Sequence, residues 1–315
     1  MRKLLLSTAA AATLALAGMA ATPAHAAEKV FAMVPKALGV PFYADAEKGC
    51  KQEAAKIGAT CLFTGPAQLD DAEQVRIVRD LITRGVAGIA VAPNNPDSIS
   101  NVITAALAKK IPVVTFDSDA PTSKRIAFIG TDNKGAGATA GQAFAKAMPK
   151  GGTYAVLTGG LSAQNLNDRI DGFKSKLGAN YKEVSGSPFS CDDDSNRAVQ
   201  VIQDILAKNP KINGIFYSGG WPMFAPEAYT RALRKRAAEI KSGKFVIVSF
   251  DTLPNQLKLL QEGYATTLVG QRPLAMGIDS IDQLNTLSGG GTVPKVTDTG
   301  TDVVTKANVA AFMSK

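Results

Sequence analysis

The stretch VVTFDSDAP at residues 113–121 has the form of a buried strand that ends at a carboxylate. A short, mainly apolar run bounded by turn residues is typical of a strand covered on both faces, and Asp117 stands directly after it. The stretch IVSFDTLP at residues 247–254 repeats the pattern, with Asp251 in the place of Asp117 and a proline soon after each Asp. The repetition predicts two domains with the same architecture.

Short apolar strands alternate with amphipathic helices on both sides of these stretches. We predict strands at residues 29–34, 60–64, 86–92, 111–116, 126–130, 153–157, 181–186, 212–217 and 245–250, and helices at 42–57, 75–82, 97–109, 136–147, 170–177, 195–209 and 226–240. Such alternation produces a parallel sheet covered by helices on both sides. The sequence, 315 residues long, therefore predicts an α/β fold of two doubly wound parallel-sheet domains.

The N-terminus has the features of a secretory signal peptide. Arg2 and Lys3 precede a long apolar run, and Ala24 and Ala26 provide a small-residue cleavage site. We predict a signal peptide over residues 1–26 and a periplasmic location; an N-terminal membrane anchor is the alternative. Cleavage would remove the single His of the chain, which excludes His-dependent nucleophilic catalysis and His-ligated metals from the mature protein.

Three other motifs are better explained by structure than by chemistry. Gly135–Gly141 resembles a dinucleotide-binding loop, but it does not follow its strand directly, and helix packing through small residues explains it. Asp192–Asn196 lacks the Gly and Glu of a calcium loop, and its carboxylates suit a helix N-terminus. The basic residues within 231–236 lack interleaved aromatics and are typical of a solvated helix face. Despite the net charge of +8, we expect no cofactor, no metal and no nucleic-acid partner.

Asp117 and Asp251 mark the edge of each predicted sheet where we expect a ligand. Each follows the carboxyl end of a buried strand, and open parallel α/β sheets bind ligands outside these ends. Two such edges that face each other across a hinge would place both carboxylates in one cleft. The alternative is that each Asp caps the turn or helix that follows it.

The three cysteines would lie in an oxidising compartment if the chain is exported. Cys50 falls late in the first predicted helix and Cys61 at the start of the next strand, so these two can form a disulfide and leave Cys191 unpaired. Three buried, inert thiols are the alternative.

Six short segments spread over the mature chain carry a family resemblance. They are GVPFY at 39–43, VAPN at 91–94, TFDSD at 115–119, NDRIDGF at 167–173, SFD at 249–251 and GQRP at 270–273. In order and spacing they resemble the type I periplasmic sugar-binding proteins of ABC importers, the ribose-binding group. The resemblance implies two domains joined by a three-strand hinge. Their ranges would be 27–131 with 272–298, and 132–271 with 299–315.

The resemblance also implies ligand contacts at individual positions. Phe42 and Tyr43 match an aromatic pair that lines the sugar, whereas Asp117 and Arg169 match a hydroxyl acceptor and a hydroxyl donor. The polar and aromatic contacts predicted in this way, to which we add Asn165, are Phe42, Tyr43, Asn94, Asp117, Asn165, Arg169, Asp251 and Gln271.

Three places depart from the ribose-binding pattern. Lys36 resembles a lysine of the autoinducer-2-binding proteins, which share the fold. Trp221, the single tryptophan, falls near the place of an Asn in ribose binders, and we predict that it stacks on the sugar; core packing is the alternative. Cys191 or Phe189 falls where another aromatic is expected.

The predicted function is capture of a monosaccharide or polyol in the interdomain cleft and its delivery to the membrane permease of an ABC importer. The protein would act as a monomer and could also serve a chemoreceptor. A receptor for an autoinducer-2-like furanosyl signal is the alternative within the fold. A secreted carbohydrate-active enzyme that uses Asp117 and Asp251 as paired carboxylates is the alternative of another class. Nothing in the sequence indicates its geometry, so we expect no enzymatic activity.

Overall fold

The computed structural model describes residues 29–313, and the predicted signal peptide with its cleavage site lies outside the described residues. Its strands belong to two sheets. They are β1 (Val30–Val34), β2 (Thr60–Phe63), β3 (Gly88–Val91), β4 (Val113–Phe116), β5 (Ala127–Gly130), β6 (Gly152–Thr158), β7 (Tyr181–Glu183), β8 (Phe189–Ser190), β9 (Gly214–Tyr217), β10 (Val246–Phe250), β11 (Thr267–Gly270), β12 (Val296–Asp298) and β13 (Asp302–Thr305).

Helices alternate with these strands, and a 3-10 turn at Trp221–Phe224 precedes one of them. They are α1 (Pro41–Lys56), α2 (Asp71–Arg84), α3 (Pro96–Ala108), α4 (Asn133–Ala147), α5 (Gln164–Lys174), α6 (Ser195–Lys208), α7 (Pro226–Leu233), α8 (Ala237–Lys241), α9 (Pro254–Glu262), α10 (Pro273–Ser288) and α11 (Ala310–Met313). Among the described residues, no helix has the length and hydropathy needed to cross a membrane.

The two sheets have equivalent strand orders. The first is β12-β5-β4-β3-β1-β2, and the second is β13-β11-β10-β9-β6-β7, with β8 also paired to β6. We call the first sheet with its helices lobe 1 and the second sheet with its helices lobe 2. The predicted α/β fold with two doubly wound sheets is confirmed. In each sheet the strand order reverses beside the first strand, and such a switch point leaves a crevice at the carboxyl ends of the strands.

The chain passes between the lobes three times. It leaves lobe 1 after β5, returns after β11, and crosses again between β12 and β13. After the first crossing α4 packs against α5 in lobe 2, and after the second α10 packs against α1 in lobe 1. Neither lobe is therefore built from one continuous part of the chain.

The last crossing explains why β13 runs antiparallel to β11, which the strand pattern did not predict. β12 ends at Asp298 in the first sheet and β13 begins at Asp302 in the second, with no helix between them. The chain therefore enters the second sheet at its carboxyl edge. A strand that enters at this edge must run against its parallel neighbours.

A pair of helices in each lobe packs through glycines. A β-carbon on Gly277 of α10 would collide with the carbonyl of Ala46 in α1, and one on Gly137 of α4 would collide with the backbone of Arg169 in α5. The glycine-rich segment 135–141 thus brings two helices together, since small residues let backbones approach closely. This contact also fixes the position of Arg169, a predicted site residue.

The segment 226–240 differs from its prediction as one helix. It forms α7 and α8, which are separated by a break at Arg234–Arg236. The guanidinium of Arg236 donates hydrogen bonds to the carbonyls of Pro210 (3.0 Å) and Ile212 (2.7 Å) and lies over the ring of Phe245. Arg236 is therefore half-buried rather than part of a solvated face. The break depends on contacts distant in sequence, which helical periodicity does not reveal.

Cys50 and Cys61 are joined by a disulfide, and Cys191 is a buried free thiol. The bond links α1 to β2 across a sequence separation of 11 residues. We expect reduction of this bond to lower the free energy of unfolding by about 2.5 kcal/mol, because it releases a short closed loop in the unfolded chain. Urea unfolding with and without reductant measures the change. The control is the Cys50→Ala/Cys61→Ala variant, whose stability should not respond to reductant. An unchanged wild-type midpoint on reduction would contradict the prediction.

Candidate functional site

A cavity lies where the carboxyl edges of the two sheets face each other. Its lining residues come from both lobes and from the hinge. They are Lys36, Val40, Phe42, Tyr43, Asp117, Asn165, Leu166, Arg169, Asp193, Gly219, Trp221, Phe224, Asp251 and Gln271. The structure thus brings together every candidate site residue except Asn94, and their role in binding stays a prediction.

Asp117 lies at the centre of this cavity, directly after β4. Its carboxylate accepts hydrogen bonds from the Tyr43 hydroxyl (2.8 Å) and the Asn165 side-chain amide (3.1 Å). The Nη2 atom of Arg169 lies 3.6 Å from the same carboxylate. The backbone of Asp117 has a φ of 57°, in the left-handed region that only Asn and Asp among bulkier residues visit readily. A turn in this conformation directs the carboxylate into the cleft.

Asp251 occupies the equivalent place after β10 in lobe 2. Its φ is 71°, and its carboxylate accepts hydrogen bonds from the Gln271 amide (2.7 Å) and the Gly220 backbone N–H (3.1 Å). Burial raises its pKa, and the positive charge of Arg169 opposes this shift. The helix that follows begins at Pro254 and has Leu253 as its N-cap. Asp251 therefore lines the cleft and does not cap this helix.

Arg169, on α5, connects the two carboxylate sites. Its guanidinium donates hydrogen bonds to Asn133 (2.8 Å), the carbonyl of Ser218 (3.0 Å) and Gln271 (2.6 Å), and it lies over the ring of Phe250. Arg169 is 2% exposed, so burial lowers its pKa, while nearby carboxylates act in the opposite direction. The fixed fork of an arginine suits it for binding several oxygen acceptors at once.

Lys36 enters the cavity from the loop after β1. It is 2% exposed, and its ammonium group donates a hydrogen bond of 2.7 Å to Asn165 of the opposite lobe. Burial lowers its pKa, whereas the charges of Asp117 and Asp193 raise it. Two of the three protons of the ammonium group remain available to a ligand, since Asn165 is its hydrogen-bond partner among the described residues.

Aromatic rings cover two sides of the cavity. Phe42 and Tyr43 lie in the first turn of α1, in edge-to-face contact at 5.2 Å between ring centroids. Trp221 lines the cavity from the 3-10 turn of lobe 2 and also belongs to the apolar core of that lobe. The indole ring fits there because Gly219 has no side chain with which it would collide. Trp221 is therefore placed both to contact a ligand in the cavity and to pack in the core of lobe 2.

Asn94 is not among the residues that line the cavity. It is 2% exposed, and its backbone N–H donates a hydrogen bond to the side chain of Gln74 at 3.0 Å. No hydrogen-bond partner for its side-chain amide occurs among residues 29–313. Gln74 in turn donates to the carbonyls of Pro35 and Ala92, so it connects the loops after β1 and β3 and holds Asn94 beneath them.

Asp193 is a cavity residue that the sequence analysis missed. The three consecutive carboxylates at the start of α6 have different roles: Asp194 is the N-cap, Asp192 is exposed and paired with Arg197, and Asp193 lines the cavity. The expected role at a helix start therefore applies to Asp194 alone. Neither Cys191 nor Phe189, where an aromatic contact was expected, lines the cavity. No cluster of potential metal ligands occurs in the described part of the chain.

The lobes are in contact across the site. Lys36 and Asp117 of lobe 1 both bond to Asn165 of lobe 2, and Thr131 donates to Gln271 at 3.1 Å between two hinge segments. The free volume that these contacts leave is about 30 Å³. Polar groups of the two lobes thus form hydrogen bonds with one another in this arrangement.

Comparisons with known proteins agree with this geometry. A family model described as a periplasmic binding protein domain matches residues 31–292. The chain is 27% identical to the ribose import binding protein of Salmonella typhimurium, over 81% of this chain and 83% of that protein. It is 29% identical to the D-allose-binding periplasmic protein of Escherichia coli, over 82% and 84% of the two chains.

Solved structures of solute-binding proteins have the same fold. An ABC transporter solute-binding protein from Burkholderia graminis, in complex with D-arabinose, is 37% identical with a TM-score of 0.82, over 90% of this chain and 97% of that one. A glucose-galactose binding protein from Geobacillus stearothermophilus is 30% identical with a TM-score of 0.80, over 89% and 98%. With a matching family model over most of its length, the chain belongs to the periplasmic binding protein family and has the type I fold that its sequence motifs indicate.

Proposed function

We propose that the protein binds a monosaccharide or polyol between its two lobes and delivers it to the permease of an ABC importer. The observation that carries the proposal is the buried arrangement of Asp117, Arg169 and Asp251, with aromatic rings beside them, at the meeting of two carboxyl edges. The relatives named above bind ribose, allose and arabinose, and they are binding proteins of transporters rather than enzymes. They favour a sugar over an autoinducer-type signal.

The chemistry of the cavity matches a sugar. Each hydroxyl can donate to a fixed carboxylate and accept from an arginine or amide, whereas the C–H face of the ring packs on an aromatic side chain. A hydrogen bond to a charged group contributes about 1.5–3 kcal/mol. A few such bonds reach the roughly 8 kcal/mol that corresponds to a micromolar dissociation constant.

Sugar entry requires the lobes to separate. Cavities that hold small ligands measure about 300–1,000 Å³, roughly ten to thirty times the free volume between the lobes in this structure. We propose that the three crossings form the hinge, with domains over 27–131 plus 272–298 and over 132–271 plus 299–315. A ligand that contacts both lobes then shifts the equilibrium from open to closed.

The cellular setting follows from the family. Periplasmic relatives and ABC-transporter partners support export by the signal peptide proposed for residues 1–26 and docking of the closed form on a permease. We further propose that the protein acts as a monomer, with a chemoreceptor as a second partner of the closed form.

The single tryptophan provides a direct test, since Trp221 lines the cavity. We expect a saturable change in tryptophan emission, together with a rise in melting temperature, when the mature chain is titrated with its sugar. The panel should contain D-ribose, D-allose, D-arabinose, D-galactose, D-glucose and common polyols. Trp221→Phe should lose the emission change but keep a thermal shift. If no member of the panel produced either signal with the wild type, the proposed function would be wrong.

A further inference from the structure

We propose that Asp193 binds a ligand hydroxyl and that its negative charge, placed opposite Lys36, restricts this cleft to uncharged sugars. The proposal rests on the proposed function and extends it from sugars in general to neutral aldoses and polyols. It concerns a residue that the sequence analysis assigned to a helix N-terminus, two positions after Cys191.

Asp193 differs from its two neighbouring carboxylates in its burial. Asp192 and Asp193 both have a left-handed backbone, with φ of 50° and 58°, and of the three consecutive carboxylates only Asp193 is buried. Asp193 is 8% exposed and lines the cavity beside Trp221. Gly159 makes room for it, because a β-carbon at Gly159 would collide with the Asp193 carboxylate.

The carboxylate of Asp193 keeps capacity for a ligand. One of its oxygens accepts a hydrogen bond from the backbone N–H of Gly160 at 3.1 Å. Gly160 is its only hydrogen-bond donor among the described residues, whereas a carboxylate can accept about four such bonds. Asp193 therefore offers an oxygen acceptor of the same kind as Asp117, but from lobe 2.

Lys36 lines the same cavity from lobe 1, whereas Asp193 lines it from lobe 2. Burial is the main cause of the raised pKa of Asp193, and the ammonium group of Lys36 is the largest opposing influence. The same pairing acts on Lys36, whose pKa the Asp193 charge raises. The two charges thus interact across the cleft, at the place where a ligand hydroxyl could accept from Lys36 and donate to Asp193.

The charges of the lining determine which ligands are tolerated. Three carboxylates (Asp117, Asp193 and Asp251) and two cations (Lys36 and Arg169) line the cavity, so the ionised set carries one net negative charge. Without Asp193, the ionised lining would carry no net charge, so the carboxylate of an acidic sugar would meet less repulsion beside Lys36. With Asp193 present, an acidic sugar adds an unpaired negative charge in a poorly solvated place, which is strongly unfavourable.

The variant Asp193→Asn tests this role, because Asn tolerates the left-handed backbone and keeps the shape of the side chain. Asp192→Asn is the matched control, since it removes the same charge from the exposed neighbouring position, which also has a positive φ. The neutral probes are D-ribose, D-allose, D-arabinose, D-galactose and D-glucose, and the anionic probes are D-galacturonate and D-glucuronate. Calorimetry or competition against the tightest neutral sugar gives the dissociation constants.

Asp193→Asn should weaken binding of the neutral sugar at least tenfold and lower the ratio of uronate to neutral-sugar dissociation constants at least tenfold. Asp192→Asn should change neither value more than twofold. Equal weakening of neutral-sugar and uronate binding would mean that Asp193 has only a structural role. Unchanged neutral-sugar binding would mean that Asp193 does not contact the ligand. Either result overturns this proposal and leaves the proposed function standing. If Asp193→Asn does not fold, Asp193→Ser removes the same charge with a smaller side chain. The ratio of uronate to neutral-sugar dissociation constants then tests the proposal in the same way. A wild type that binds no sugar of the panel would overturn the proposed function and this proposal together.

Discussion

Replacing Asp117 by alanine should weaken sugar binding at least a hundredfold while lowering the free energy of unfolding by only about 1–2 kcal/mol. Asp117 would supply an ionised acceptor to the ligand, and it also orients Tyr43 and Asn165, which donate to it from the two lobes. A hundredfold loss corresponds to about 2.7 kcal/mol, the amount expected when one or two hydrogen bonds to a charged group disappear. Calorimetric titration with the best sugar of the panel measures the affinity, and urea unfolding measures the stability.

Stability should change less because Asp117 is not the main partner of Arg169. The 3.6 Å ion pair between them is longer than the three hydrogen bonds that Arg169 makes to other groups. Asp97→Ala is the control, since Asp97 is an exposed carboxylate in the first turn of α3. Affinity within threefold of wild type for Asp117→Ala would show that the cleft does not bind sugar through this residue.

Arg169→Met should abolish binding and also destabilise the protein by about 3–5 kcal/mol. The arginine is nine-tenths buried or more, and its removal leaves Asp117 and Asp251 without the cation between them. Asn133, Gln271 and the carbonyl of Ser218 would each lose a donor inside the protein, where an unsatisfied polar group is costly. Urea unfolding and sugar titration measure the two effects on the same sample.

The control for Arg169→Met is Arg197→Met, which removes an exposed arginine paired with Asp192 at the surface. Exposed ion pairs contribute about 0–1 kcal/mol, so this variant should stay close to wild type in both measurements. A loss of stability below 1 kcal/mol for Arg169→Met would mean that the buried carboxylates do not depend on this cation.

The sequence predicted most of the fold because its strands are buried on both faces and its helices are amphipathic. Asp117 and Asp251 could be placed on facing edges for the same reason, since the position of a carboxylate after a buried strand depends only on the local pattern. Neither β13 nor its direction was predicted, because the direction is set by where the preceding crossing enters the second sheet. The break at Arg236 likewise depends on carbonyls more than twenty residues away.

Asp193 was missed because neighbouring residues look alike in sequence, and Asn94, whose role in binding stays a prediction, lies outside the cavity lining. Asp192, Asp193 and Asp194 are chemically identical, and the sequence does not show that the middle one lines the cavity, where Gly159 leaves room for its carboxylate. Asn94 also follows a buried strand, but it stands three residues after β3, and its backbone N–H bonds to Gln74. Which residue lines the cavity depends on backbone angles and on side chains of other elements. The pattern of strands and helices in the sequence does not specify either.

Because the chain passes between the lobes three times, neither lobe can finish folding before most of the chain has been synthesised. Lobe 1 needs α10 and β12, so its sheet remains incomplete until residue 298 has emerged from the ribosome. Many multidomain proteins can finish an N-terminal domain while the rest is still being made. Here nascent chains stalled before α10 should remain sensitive to protease throughout, and both lobes should become resistant almost together as the last strand is released.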